Sequence, residues 1–305
     1  MDRKEIKLLE KLSLAELVLK ANQIRQDYIG QRLDLCSITN AKSGLCTQDC
    51  KFCAQSIRHA TGIPTYPLKS PKEIIAGAKQ AQDIGAKRFG IVTSGNRLSP
   101  EELKRVCDAV ASIKKKLGLK VCASLGSIDE PGLQLLKVAG ISRYHHNLET
   151  SPRYFPQIIS THTFEERVAT IKAVKKAGLE VCSGGIIGLG ETVEDRLELA
   201  LWLKKLEVDS VPLNVLIPIK GTPLEKQKPL SGAEVIKTIA IFRIILKDKT
   251  IKIAAGRESL LQDFQALAFM AGANGMLIGG YLTVKGRDIL EDQQLAREIQ
   301  RLWQM

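Results

Sequence analysis

The sequence predicts an α/β fold, a (β/α)8 barrel of the TIM type with an N-terminal helical extension, on three observations. One phrase keeps returning: a charged amphipathic segment ends in glycine and a short apolar run of strand type follows, as in "KKKLGLKVCASLG" and "KKAGLEVCSGGIIGLG". Glycine there suits the left-handed position that closes a helix, so each phrase reads as helix stop, then strand. The strands number about eight, near 33–39, 88–93, 119–125, 141–148, 179–187, 210–217, 251–255 and 275–279. Eight βα units over roughly 250 residues is what such a barrel requires. No linker rich in Pro, Gly or Ser interrupts them. An open doubly wound sheet satisfies the same alternation, because strand closure is not written in one dimension.

Taken in order, residues 1–30 read as helix: apolar residues recur at spacings of three and four, and Ser13-Leu-Ala-Glu16 has the form of a capping box. The first strand carries Cys36 and runs into "NAKSGLCTQDCKFC", which holds Cys46, Cys50 and Cys53 in a C-x3-C-x2-C spacing. Cys107, in "LKRVCDAV", falls on a helix outside the barrel, where packing is its expected role. The resulting division is a helical extension over 1–32, a barrel over 33–285 and a C-terminal helix over 286–305.

Composition narrows the classes of function. The opening "MDRKEIKLLEKLSLAELVLK" is laced with charge, unlike a signal peptide, and no apolar run approaches the ~18 residues that span a bilayer. Seven cysteines, an odd number with three packed together, fit metal-binding thiolates in a reducing cytoplasm better than a disulfide framework. The net charge of +12 invites a nucleic-acid reading, but the basic residues are dispersed on helical faces and aromatics make up only 5%. Solvated helix surfaces account for that charge, which would still attract an anionic substrate. No membrane and no nucleic-acid partner is expected.

Thiolates select soft metals, zinc or iron–sulfur clusters. A structural zinc site wants four ligands, usually as two pairs. Three cysteines within eight residues suit one 4Fe–4S cubane, gripping three irons and leaving the fourth free; zinc or an incidental thiol group is the alternative.

The phrases "NAKSGLCTQDCKFCAQS", "HNLETSP", "EVCSGGIIGLGET", "VPLNVLIPIKGTPL", "AAGRE" and "MAGAN", in that order, resemble the biotin synthases of the radical S-adenosylmethionine superfamily over nearly the whole chain. The resemblance implies that S-adenosylmethionine chelates the open iron through its amino and carboxylate groups. Its reductive cleavage yields a 5′-deoxyadenosyl radical, which removes hydrogen from dethiobiotin. A second, sacrificial iron–sulfur cluster then supplies the sulfur that closes the ring of biotin. An electron donor of flavodoxin or ferredoxin type and a homodimer are implied as well.

In most of the family three cysteines and an arginine hold the second cluster. Cys122, Cys182 and Arg257 match three of these four, and Gly90 stands where the remaining cysteine belongs. Cys36 offers a replacement. Barrel interiors fill in layers of four side chains from alternate strands, and Cys36, Cys122, Cys182 and Arg257 are read on strands one, three, five and seven. The auxiliary cluster is then either 2Fe–2S or a four-iron variant with an extra sulfide, with Arg257 beside it as a charge. Without the resemblance, the three cysteines read as small buried hydrophobes.

The resemblance also places cofactor and substrate. Phe52 in the cysteine loop, Asn147, Glu149, Arg167, Gly184, Gly185, Ile187 and Gly188 match positions near S-adenosylmethionine; Lys42, Asn147, Asn214 and Thr283 match positions near dethiobiotin. Here Glu149 replaces the usual Asp and His145 the usual Asn, and the threonine pair that receives the substrate carboxylate is reduced to Thr283 with Lys285. A carboxylate suits the cofactor's cis-diol, and an amide such as Asn214 both donates and accepts, as a urea requires. Competing readings are another radical enzyme of the same fold, of methylornithine synthase or hydrogenase-maturation type, and a non-catalytic iron–sulfur or nucleic-acid-binding protein.

Overall fold

The computed structural model describes residues 9, 11–283 and 286–304. Helix α1 (Leu14–Ile29) begins where expected: Ser13 Oγ accepts from the Glu16 N–H at 3.3 Å, and Glu16 Oε2 accepts from the Ser13 N–H at 2.8 Å. The expected helix over residues 1–8 and 10 lies outside the described residues.

The chain then runs β1 (Asp34–Lys42), α2 (Pro71–Asp83), β2 (Arg88–Thr93), α3 (Pro100–Leu117), β3 (Lys120–Ser124), α4 (Glu130–Ala139) and β4 (Ile141–His145). It continues through α5 (Phe155–Ile158), α6 (Phe164–Lys176), β5 (Glu180–Cys182), β6 (Gly185–Ile187), α7 (Val193–Lys205) and β7 (Ser210–Val215). After these come α8 (Gly232–Leu246), β8 (Thr250–Ile253), α9 (Arg257–Leu260), α10 (Gln265–Met270), β9 (Gly275–Leu277) and α11 (Ile289–Gln304). Every strand overlaps one of the eight segments read from the sequence. The glycines that end the helical segments, Gly85, Gly118, Gly140, Gly178 and Gly272, all have positive φ, as a left-handed helix stop demands. Cys107 sits half-buried on α3, packed against the core.

The strand segments pair in parallel in the order β5-β4-β3-β2-β1-β9-β8-β7-β6, and a β5–β7 pairing of Cys182 with Ser210 closes the ring. β5 and β6 are two halves of one barrel strand, so the ring has eight strands and the open sheet is excluded. The strand breaks at Ser183–Gly184 because β7 presses on it: a Cβ at Gly184 would lie 2.0 Å from the Pro212 carbonyl oxygen. Helices cover the outside, so the strands are buried on both faces and read as near-continuous apolar runs. Among the described residues no helix is long and apolar enough to cross a membrane.

Candidate active site

The cysteine loop leaves the C-terminal end of β1 and is pinned at both sides. Gly44 N–H donates to Gln55 Oε1 at 3.0 Å, Cys46 N–H to Gln55 O at 3.0 Å and Ile57 N–H to Cys46 O at 2.9 Å. Asp49 ties the loop to the stretch after α5, accepting from the Ser160 and Thr161 N–H groups at 3.0 and 3.1 Å. Burial pushes the Asp49 carboxyl up, but the Ser160 and Thr161 hydrogen bonds outweigh it and hold the group well below the usual carboxylate range. A fixed loop presents Cys46, Cys50 and Cys53 as free thiols, with the Gln55 backbone hydrogen-bonded to the Cys53 thiol. Burial pushes the Cys50 thiol up strongly and that of Cys53 to about 11. Such thiols ionise only against a bound cation, which fits metal ligation. Among the described residues no three His, Cys, Asp or Glu side chains converge on a single-ion site; a cluster, whose ligands bind different irons, does not require that they do.

Phe52 and Cys53 also line the mouth of a cavity of about 430 Å³ that descends into the barrel. At its floor stand Cys36 of β1, Cys122 of β3, Cys182 of β5 and Lys252 of β8. With β5 and β6 merged, these are barrel strands one, three, five and seven, the layer of four expected from barrel geometry. Its fourth member is Lys252, not Arg257. Lys252 Nζ lies 2.6 Å from Cys36 Sγ and 3.1 Å from Asp34 Oδ2. Arg257 lies past the end of β8, on α9, and its guanidinium faces away from the cavity. It donates to Asp292 Oδ1 and Oδ2 at 2.7 and 2.6 Å, to Leu277 O at 3.0 Å and to Gln265.

Cations surround the floor thiols. Arg88 Nη1 is 3.9 Å from Cys122 Sγ, and His145 Nδ1 is 3.4 Å from Cys182 Sγ. Burial pushes the Cys36 thiol up to about 12 despite Lys252. Cys182 is instead held down to about 6: burial opposes ionisation there, but His145, Lys252 and Arg143 outweigh it. Three thiols amid Lys252, Arg88, Arg143 and His145 fit an anionic sulfur-rich group. Over Gly90 there is no room to spare, since a Cβ would meet Ile38 Cγ2 at 3.0 Å. The side chain lost at Gly90 is thus replaced in space by Ile38, two residues beyond Cys36 on the same strand.

Above the floor, Asn147 and Glu149 line the cavity wall. Asn147 Nδ2 donates to Glu149 Oε2 at 3.2 Å, and Asn147 Oδ1 accepts from the Gly184 N–H at 3.1 Å. Arg167 stands behind them, donating from Nη1 to Asn147 O at 2.9 Å and from Nε to His162 Nε2 at 3.0 Å, with Glu149 Oε1 at 3.6 Å. Because arginine only donates, His162 accepts at Nε2 and carries its proton on Nδ1, which faces Gln48 Oε1 at 2.7 Å. Burial first, then Arg167, push His162 down to about 4. Asn214 and Thr283 line the cavity; Asn214 Oδ1 accepts from the Ala255 N–H at 3.2 Å and Nδ2 donates to Gly185 O at 3.3 Å.

Other expectations are corrected. Lys42 does not reach the cavity; its Nζ pairs with Glu102 Oε1 at 2.7 Å. Gly184, Gly185, Ile187 and Gly188 are absent from the lining, where Ile186 stands instead. A Cβ at Gly185 would lie 2.3 Å from the Glu149 carbonyl oxygen, so this glycine admits neighbouring backbone rather than a cofactor. Lys285 lies outside the described residues. The sequence reading missed Lys252, Arg88 and Arg143 as floor residues. Their signal was the two-residue alternation of strands, which puts Lys252 with Ala254, and Arg143 with His145 and Asn147, on inward faces.

A barrel with a three-thiol loop after its first strand defines a class, and the comparisons with known proteins agree. The family model described as "Radical SAM superfamily" matches residues 42–203, and that of the "Biotin and Thiamin Synthesis associated domain" matches residues 212–300. The biotin synthase of Thermotoga neapolitana is 58% identical over 272 residues, covering 89% of this chain and 97% of that protein. That of Thermotoga petrophila is 55% identical, covering 97% and 99%. The chain belongs to the biotin synthase family. The crystal structure of a methylornithine synthase superposes with a TM-score of 0.83, covering 98% of this chain and 92% of that one; at 23% identity the likeness shows the fold alone.

Proposed function

We propose that this chain inserts sulfur into dethiobiotin to form biotin, as a radical S-adenosylmethionine sulfurtransferase. The observation that carries the reading is the presence of two separate thiol sets in one barrel, Cys46, Cys50 and Cys53 in the loop whose Cys53 lines the mouth of the cavity, and Cys36, Cys122 and Cys182 at the floor of the same cavity. When bound, a 4Fe–4S cluster at the mouth and S-adenosylmethionine supply hydrogen abstraction from unactivated carbon, and an auxiliary cluster at the floor supplies sulfur.

The residues then divide the work. Cys46, Cys50 and Cys53 hold the mouth cluster, and the pinned loop keeps their spacing. Glu149 and Asn147 receive the cofactor's hydroxyl groups, while Arg167 fixes both from behind. Asn214 grips the ureido ring of dethiobiotin and Thr283 stands near its far end. Cys36, Cys122 and Cys182 hold the auxiliary cluster, of 2Fe–2S or four-iron composition, with Lys252 in the role foreseen for Arg257. The reading includes a cytoplasmic location, an electron donor of flavodoxin or ferredoxin type, a homodimer, and the division into 1–32, 33–285 and 286–305.

The test is anaerobic reconstitution with iron and sulfide, then addition of S-adenosylmethionine, a reductant and dethiobiotin, with biotin read by mass spectrometry. Biotin in an amount limited by the floor cluster is expected. Cleavage of S-adenosylmethionine with no biotin would move the chain to another reaction of the superfamily.

A further inference from the structure

The cavity ends downward at three cations. Arg88, Arg143 and Lys252 line it, whereas the carboxylates bonded to them, Asp34 and Glu180, do not. All five lie at the N-terminal rim of the barrel: Asp34, Arg88 and Glu180 open β1, β2 and β5, and Arg143 and Lys252 are third in β4 and β8. Side-chain exposure rises outward, from 5% at Lys252 and 7% at both arginines to 16% at Asp34 and 41% at Glu180. The floor thiols and Lys252 beside them are therefore parted from solvent beneath the barrel by the arginines Arg88 and Arg143 and by the carboxylates Asp34 and Glu180. Branched aliphatic side chains are what usually fill that position.

Glu180 holds the layer together. Its Oε2 accepts from Arg88 Nη2 at 2.9 Å and from Arg143 Nε at 2.8 Å. Arg88 Nη1 also donates to Ser142 Oγ at 3.0 Å, but one group is left over: among the described residues the buried Arg143 Nη1 has no hydrogen-bond partner and stands 3.6 Å from Asp34 Oδ2. Every contact that spans the layer joins one side chain to another, so rotamer changes open it while the backbone ladder of the barrel stays intact.

We propose that this ionic layer is a passage through which iron and hydrosulfide ions enter and leave the floor site, with no change of oxidation state in transit, so that the site is supplied from the N-terminal end while cofactor and substrate occupy the mouth. The inference rests on the reading of Cys36, Cys122 and Cys182 as ligands of a consumed cluster. The order of charges suits both ions, since outer carboxylates concentrate an iron cation and the cations behind them draw an anion inward.

The test measures iron loss from the anaerobically reconstituted enzyme without reductant, using EDTA, which takes ferrous and ferric iron alike, and total iron in the filtrate, with and without saturating S-adenosylmethionine and dethiobiotin. The mouth cluster is followed separately by its paramagnetic resonance signal after reduction. In the wild type, floor iron should leave at a rate that the mouth ligands do not change. Glu180→Ala should speed that loss about ten-fold, the ratio produced by ~1.4 kcal/mol of lost anchoring, and Glu180→Gln less, with mouth-cluster loss and Tm held near wild type. Floor iron that leaves at the wild-type rate in Glu180→Ala, or that is retained when the mouth is filled, would overturn the passage alone. A reconstituted chain with only the four mouth irons would overturn the auxiliary-cluster reading and the passage with it.

Discussion

Arg257 and Lys252 compete for one role, and their variants separate the alternatives. Arg257 is 1% exposed and its partner Asp292 is fully buried, with both carboxylate oxygens within 2.7 Å of Arg257 Nη2. Removing one partner of such a pair leaves a buried charge uncompensated and costs ~3–5 kcal/mol. With an unfolding entropy of ~2.1 cal/mol/K per residue over 305 residues, Arg257→Ala should lower Tm by ~5–8 °C. Asp292 lies in the first turn of α11, so the loss is one of clamping the C-terminal helix to the barrel, and Asp292→Ala should reproduce it. Neither change touches the floor thiols, so floor iron and sulfide should stay at wild-type levels. Lys252→Met should behave oppositely, depleting the floor cluster while the mouth cluster remains. The assay is iron and sulfide content beside a thermal melt for each variant. Arg257→Ala that sheds floor iron at an unchanged Tm, or Lys252→Met that retains all of it, would refute the assignment.

Three further outcomes are expected. Cys36→Ala should lose the floor cluster while the reduced protein still cleaves S-adenosylmethionine; iron and sulfide equal to wild type would remove Cys36 from the site. Asn214→Ala should weaken dethiobiotin binding about ten-fold, for a lost hydrogen-bonding amide worth ~1.4 kcal/mol, and unaltered affinity by calorimetry would count against the ureido contact. His162 has its folded pKa lowered to about 4, below the usual ~6.5 of the unfolded chain. Between these values the unfolded state binds the extra proton, so the stability it contributes is whole above ~6.5 and is lost as pH falls toward 4. Denaturation midpoints of wild type and His162→Phe across that range should differ in slope, and parallel profiles would dismiss the burial of His162 beside Arg167 as the cause.

Much of the site was legible because its chemistry is local. Cys46, Cys50 and Cys53 lie within one loop, where spacing alone announces three thiolates, and the glycines Gly140 and Gly178 marked the strands that lead to Asn147 and carry Cys182. The error at Arg257 has a physical origin. Side-chain direction follows two-residue alternation only while the strand lasts, and β8 ends at Ile253, so alternation selects Lys252 and says nothing of Arg257. The glycines of "GGIIGLG" misled for a related reason. A missing Cβ invites close approach, but what approaches Gly184 and Gly185 is the backbone at Pro212 and Glu149, elements distant in sequence.

By itself, then, the order of amino acids determined the alternation of helix and strand, the number of strands and the thiols of the mouth, since each depends on neighbours a few residues apart. Closure of the ring, the choice of Lys252 over Arg257, the filling of the Gly90 gap by Ile38 and the ionic floor beneath the thiols were decided only in three dimensions. Each depends on the register between strands far apart in the chain, where a shift of one residue turns an inward side chain outward.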